Sequence, residues 1–413
     1  MSFTVRVGTL LDGTGSDPLH DQTISVDRER FSAAREPKGL VADLGDLTVL
    51  PGLIDAHTHL GSVAAARAPY GHVSYAEMAA ELFRNCELAV EAGFTTCRDA
   101  NGVDGGIART IERGLVRGPR VLPSGGAIAQ DGGHATMMPP YSDTYRPLHQ
   151  PGLINAKEVC DSPDAVRAAA RRNFRRGATQ IKIMATGGVV SLTDELDEPQ
   201  LTVEEMRAAV MEARARRSYC MAHAHGAAGA RNAIVAGVTS IEHGTYLDEE
   251  TIALMSSRGV AVVPTFTVFE LISSRWRAWG LPETAATRTE GVMSAMAAML
   301  QLARSAGLLV GSGSDILGAD QLHRGRELVL RAGYEDPMSA IVSATTSNAR
   351  ILGISDDLGS IEDGKIADFV ALDGDPLSDP SILDDPSRFV IVARSGKILK
   401  DTQGRFRSIR LAN

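Results

Sequence analysis

The chain has 413 residues, 44% of them hydrophobic and 23% charged, with a formal net charge of −9. That length exceeds one average domain and can bury a large core, while the acidic balance offers no basic face to a phosphate backbone, which argues against nucleic acid as a partner. The opening MSFTVRVGTLLDG lacks the apolar core of a secretion signal, and no apolar run approaches the roughly 18 residues of a membrane span; a cytoplasmic protein without membrane contact is expected.

Residues 1–50 show strand-like alternation around Thr4 to Val7 and a turn signal at Leu11-Asp-Gly-Thr-Gly. Eight short β-rich runs follow, at 49–59, 94–99, 120–125, 180–187, 219–225, 238–243, 260–265 and 308–315. Stretches of helical composition separate several of them, at 75–92, 162–176, 202–217 and 285–306. Thr202-Val-Glu-Glu205 has the spacing of a capping box, and Ser162-Pro163 puts proline at a first helical position. The remaining segment repeats the pattern of the first: a turn at Glu362-Asp-Gly-Lys365, then a strand over Phe369–Leu372.

Strand alternating with helix favours parallel pairing, and eight such strands make an α/β fold of the (β/α)8 TIM barrel type. The expected organisation is a barrel over 51–352 and a small β-sandwich domain built from both chain ends, 1–50 plus 353–413. Cys86, Cys97, Cys160 and Cys220 lie far apart without a CxxC pair and are expected to be buried thiols. The long connection over 127–160 could serve as a lid. Phe266, Phe269, Trp276 and Trp279, after the seventh run, suit an apolar pocket wall or a subunit contact equally.

A TIM barrel gathers the C-terminal ends of its strands at one face, and several runs end there in residues that bind metals. His57 and His59 are two apart, so a strand points both to one side, and Asp55 shares that face as an acceptor for a ligand ring. His223 and His225 repeat the spacing, His243 ends the next run, and Asp315 ends the eighth, where its plainer role is a helix cap. Arginine outnumbers lysine six to one, so Lys182 inside Ile181-Lys-Ile183 stands out. An ammonium there is costly to desolvate; a snorkelling side chain is one account, and carboxylation by CO2 to a metal-bridging carbamate is the sharper one.

These motifs resemble the amidohydrolase superfamily along almost the whole chain: Pro51-Gly-Leu-Ile-Asp-Ala-His-Thr-His59, Lys182 in Ile181-Lys-Ile-Met-Ala-Thr-Gly-Gly188, Ala222-His-Ala-His-Gly226, Glu242-His-Gly244, Asp315, and the tail from Gly359 to Val370. The resemblance implies two divalent metal ions, with zinc the first choice for nitrogen and carboxylate donors. His57, His59 and Asp315 would hold the more buried ion, His223 and His243 the more exposed one, and carboxylated Lys182 would bridge them. A bridging hydroxide would attack an amide carbonyl, with Asp315 carrying the proton to the leaving nitrogen.

Lys182 to Gly188 together with Met221 to Gly226 is most similar to the Xaa-Pro and Xaa-Arg dipeptidase branch, which includes ochratoxinase-type amide hydrolases. By that likeness His134 and His225 become candidates for contact with the substrate, a small-molecule amide such as a dipeptide or N-acyl amino acid, and the enzyme is expected to form a homo-oligomer. A cyclic-amide hydrolase of the imidazolonepropionase or hydantoinase kind shares the same metal chemistry. A mononuclear deaminase would need no strand lysine and would carry a glutamate soon after His223, where Ala224-His-Gly226 stands instead. An inert binding relative would have lost a ligand, and none is missing here.

Overall fold

The computed structural model describes residues 2–33, 40–62, 74–134, 136, 153, 157–191 and 193–406. From the amino end, β1 (Ser2–Leu10), β2 (Leu19–Asp27), β3 (Arg30–Ser32) and β4 (Leu40–Pro51) lead into the barrel. The barrel strands are β5 (Leu53–Thr58), β6 (Phe94–Asp99), β7 (Arg120–Leu122), β8 (Ala127–Ala129), β9 (Lys157–Val159), β10 (Ile181–Met184), β11 (Cys220–Gly226), β12 (Ser240–Tyr246) and β13 (Ala261–Val263). The chain returns through β14 (Phe369–Leu372), β15 (Phe389–Arg394) and β16 (Lys397–Asp401) to the first sheet. Both ends thereby share one seven-stranded mixed sheet, ordered β16-β15-β14-β4-β1-β2-β3, as an appended domain.

Alternation along β14 explains how that sheet attaches. Phe369 and Ala371 enter the domain's own core with Phe3, Val5 and Ile391, whereas Val370 and Leu372 pack with Leu82, Cys86 and Val90 of α1 (Tyr75–Glu91) on the barrel. One strand buries apolar side chains on both faces, so the two units share a continuous interior.

The ring itself departs from eight regular strands where β9 adds an extra strand to the free edge of β8, and in two further places. The third expected run, 120–125, holds only β7, which pairs with β6; after Ser124-Gly-Gly126 the chain steps sideways so that β8, beyond that run, pairs with β10. The eighth run, 308–315, forms only a parallel bridge from Val310 to Val262. It nonetheless closes the ring, because Ala56 donates to the Ser312 carbonyl at 3.0 Å and the Asp315 amide donates to the His57 carbonyl at 2.9 Å. Gly313 makes this approach possible, since a Cβ there would lie 2.4 Å from His57 Cβ.

Outside the ring lie α2 (Gly105–Glu112), α3 (Pro163–Arg175), α4 (Val203–Arg214), α5 (Ala227–Ala236), α6 (Glu249–Arg258) and α7 (Phe266–Arg275). Ser162 caps α3, and Thr202 with Glu205 forms the expected capping box of α4. The helix expected over 285–306 is two, α8 (Glu283–Arg288) and α9 (Val292–Ser305), separated at Gly291 with φ of 79°. Ile181 and Ile183 of β10 pack outward against Val166 and Met206 of these helices, which turns Lys182 and Met184 into the lumen. All four cysteines are free and buried. Among the described residues no helix is long and apolar enough to cross a membrane.

Candidate metal centre

His57 and His59 leave β5 at its C-terminal end, and Asp315 is brought across from the eighth run by the backbone pairing that closes the barrel. Asp315 Oδ1 lies 3.0 Å from His59 Nε2 and 3.6 Å from His57 Nε2. Two donors each about 2.0–2.2 Å from one ion lie at such separations, so these three buried groups fit a divalent metal. Their ligand atoms all fall within 4.8 Å of one another, the one such grouping among the described residues. Asp315 holds this position at a φ of 52° and His243 at 69°, left-handed backbone that side-chain-bearing residues rarely adopt and that costs about 1–3 kcal/mol each.

Lys182, 1% exposed, extends Nζ to 3.3 Å from His57 Nε2. His223 in the middle of β11 and His243 on β12 complete the wall: the His223 ring lies 4.5 Å from His243, and His243 lies 4.9 Å from His57. His225 stacks on His243 at 5.0 Å, and His134 stacks on His223 at 4.3 Å. Every site residue marked in the sequence is thus gathered at one end of the barrel. His134 reaches it from the connection after β8, and Gly188 lets it in, since a Cβ there would meet the His134 ring at 2.3 Å. Most of the expected lid over 127–160 lies outside the described residues.

Most of these rings spend one nitrogen on the protein. His57 Nδ1 lies 2.7 Å from Glu242 Oε2, His225 Nδ1 2.8 Å from Thr245 Oγ1, His243 Nδ1 2.8 Å from Thr265 Oγ1, and His223 Nε2 2.9 Å from the Gly187 carbonyl. Because a carboxylate only accepts, His57 Nδ1 carries the proton and Nε2 keeps its lone pair for a ligand. His59 differs, its Nδ1 being buried without a partner. Burial drives five of these rings toward the neutral form: His57 is lowered, His134 and His225 are held down to about 3, and His223 and His243 lie well below the ordinary histidine range. Neutral imidazoles are the form that binds metals.

The same burial lowers the Lys182 ammonium to about 8. It also opposes ionisation of Asp315, but the neighbouring His57, His59 and Lys182 outweigh it and hold that carboxyl below its usual range. Metal-ligand chemistry therefore has an anionic carboxylate, neutral rings and an easily deprotonated amine on one wall.

Two participants are absent from the sequence reading, and one is corrected. Asp55 does not receive a ligand ring: it accepts from the His57 backbone amide at 3.1 Å, from Ser314 Oγ at 2.6 Å and from Arg324 Nη1 at 2.9 Å, tying β5 to the loop that carries Asp315. The ring is oriented instead by Glu242, whose two oxygens both accept from Arg98 Nη2 at 2.9 Å. Burial alone would raise the Glu242 carboxyl, yet Arg98 and His57 together bring it to about 2. A charged residue within each buried run, Arg98 before Asp99 and Glu242 before His243, was the available signal. Of the four aromatic candidates, Phe269 reaches the site, 5.7 Å from the His225 ring, while Trp279 turns away to donate to Asp320.

Known proteins share both sequence and shape with this chain. The amidohydrolase family pattern matches residues 48–400. Ochratoxinase of Aspergillus niger is 32% identical over 415 residues, covering 96% of this chain and 86% of its own. Two solved structures cover nearly the full length: a prolidase complexed with N-methylphosphonate-L-proline (33% identity, TM-score 0.91, 97% of this chain and 100% of that one) and a Xaa-Pro dipeptidase with bound methionine (31%, 0.86, 96% and 99%).

Proposed function

The chain belongs to the amidohydrolase family, hydrolases acting on carbon–nitrogen bonds, and from that premise we propose that it cleaves the amide bond of a dipeptide or N-acyl amino acid. The observation that carries this reading is the approach of Lys182 to His57 within the His57, His59 and Asp315 grouping, a buried lysine whose amine is eased toward deprotonation. In this reading His57, His59 and Asp315 would hold one divalent ion, zinc being the first choice, and His223 and His243 would hold a second. Lys182 would be carboxylated by CO2, its amine forming the N–C bond and giving up a proton, and the carbamate would add anionic oxygen donors to the same site.

When bound, such ions supply Lewis acidity toward the scissile carbonyl and lower the pKa of a water to roughly 7. Asp315 takes the proton of the attacking water and delivers it to the leaving nitrogen. His134 and His225, on the wall beside His223 and His243, contact the substrate's carbonyl or carboxylate. Phe269 keeps that side apolar and dry. Support for the substrate class comes from the relatives, a prolidase carrying a proline phosphonate and ochratoxinase. Unpaired buried cysteines suit a cytoplasmic setting, and homo-oligomerisation is part of the same proposal.

The test is elemental analysis of the purified protein together with a screen of dipeptides, N-acyl amino acids and cyclic amides. Two ions per chain and turnover of the acyl amino acids are expected. Turnover confined to cyclic amides, or full activity with a single ion, would overturn the reading.

A further inference from the structure

Of the six lysines in the chain, two lie on barrel strands, and Lys157 has no part in the chemistry above. It opens β9, which runs parallel to β8 with Ala127 opposite Lys157, Ile128 opposite Glu158 and Ala129 opposite Val159. Residues opposite one another in a sheet point to the same face. Ile128 belongs to the layer between barrel and helices, whereas Ala127 and Ala129 face inward with Met184, the lumen residue two beyond Lys182. Glu158 confirms the register independently, since it accepts from Arg172 of the surrounding α3 at 2.7 Å. Lys157 therefore presents its stem to the mouth of the barrel.

The residue is half-buried, and no hydrogen bond or ion pair to its ammonium is found among the described residues, a costly condition for a cation unless something anionic enters. Burial brings it down to about 7. It is also near enough to His134 that, after burial, His225 and Lys182, its charge helps to hold that ring down to about 3. Arg288, a further cation beside the His134 pocket, is already committed to the Gly188 and Ser191 carbonyls and to Glu195.

We propose that Lys157 is the specificity residue for a substrate bearing a free carboxylate, and that it pairs with that carboxylate at the rim while the amide lies against the histidine wall. The choice of a C-terminal carboxylate as the anion rests on the amide-hydrolase reading. The position of the cation does not.

The test is calorimetric binding of N-acetyl-L-phenylalanine and of its C-terminal amide to the metal-depleted full chain, in which no ion can capture the carboxylate. The wild type should favour the acid by about 10- to 100-fold, the worth of one charge-assisted hydrogen bond. Lys157→Met should erase that preference while leaving the amide's affinity unchanged, and Lys157→Arg should retain part of it. A wild type that binds neither compound or shows no preference, a Lys157→Met variant that keeps the preference, or one that weakens acid and amide equally would each overturn the proposal. Turnover of the same acid by the metal-loaded wild type is read separately, so acid preference without hydrolysis removes the hydrolase reading and leaves Lys157 its ligand.

Discussion

Glu242→Gln isolates the contact that orients His57, the first residue of the candidate metal site. Glu242 is fully buried and serves three donors at once: His57 Nδ1 at 2.7 Å, Arg98 Nη2 at 2.9 Å and Ser240 Oγ at 2.7 Å. An amide has one acceptor oxygen and turns an N–H toward whichever donor it fails to serve. Arg98, with no exposed surface, then keeps donating to the Ala56 carbonyl but loses its counter-charge. Removing one partner of a buried pair costs about 3–5 kcal/mol. A glutamine that preserves part of the network should bring the metal-free protein near the lower figure, about 3 kcal/mol, read by urea unfolding. Loss of the ring's orientation should separately weaken zinc binding by about 10- to 100-fold, read by competition with a chromogenic chelator. The pH dependence has a definite sign. The Glu242 carboxyl is depressed to about 2 in the fold, against 4.5 in a free chain, so its stabilisation is present above about 4.5 and lost as pH falls through about 2. Wild type and variant should therefore converge as the pH is lowered from about 4.5 toward 2. Equal stability at pH 7 with unchanged zinc affinity would refute the assigned role.

Asp315→Asn should keep its backbone, because asparagine tolerates the left-handed region, and should keep most of its metal while losing turnover by at least about 100-fold, the usual worth of a general acid–base group; near-normal kcat would remove Asp315 as proton carrier. Lys182→Ala should lose the second ion, with partial recovery of activity on adding a short-chain carboxylic acid, and two ions at full rate without the acid would end the carbamate proposal. Stripping metal with a chelator should lower the melting temperature and restoring zinc should raise it, by mass action on the folded state; an unchanged transition would speak against a resident ion. Gly188→Ala should push the His134 ring off His223, raising KM more than it lowers kcat, whereas an effect on kcat alone would make His134 part of the chemistry.

Much of the site was legible because barrel geometry converts position along a strand into position in space. His57, His59, His223, His243 and Asp315 lie at or near the ends of runs that β-rich composition reveals, and parallel strands aim such ends at one face. Lys182 was visible as a charge between two isoleucines. The capping box at Thr202 was equally plain, since its residues lie within one turn and need no distant partner.

Local pattern could not assign Asp55, which looks like a ring acceptor on its own strand yet is claimed by Ser314 and Arg324 from far along the chain. Nor could it join Arg98 to Glu242, set β8 apart from the third run, or turn Lys157 inward, because each depends on which strand packs alongside. The sequence by itself determined the fold class, the residue types of the candidate metal site and their common end of the barrel, since these follow from side-chain alternation and from how strands and helices succeed one another. Tertiary structure alone decided which buried charge answers which, because in a low-dielectric interior the partner a charged group meets across the sheet outweighs any preference written into its own segment.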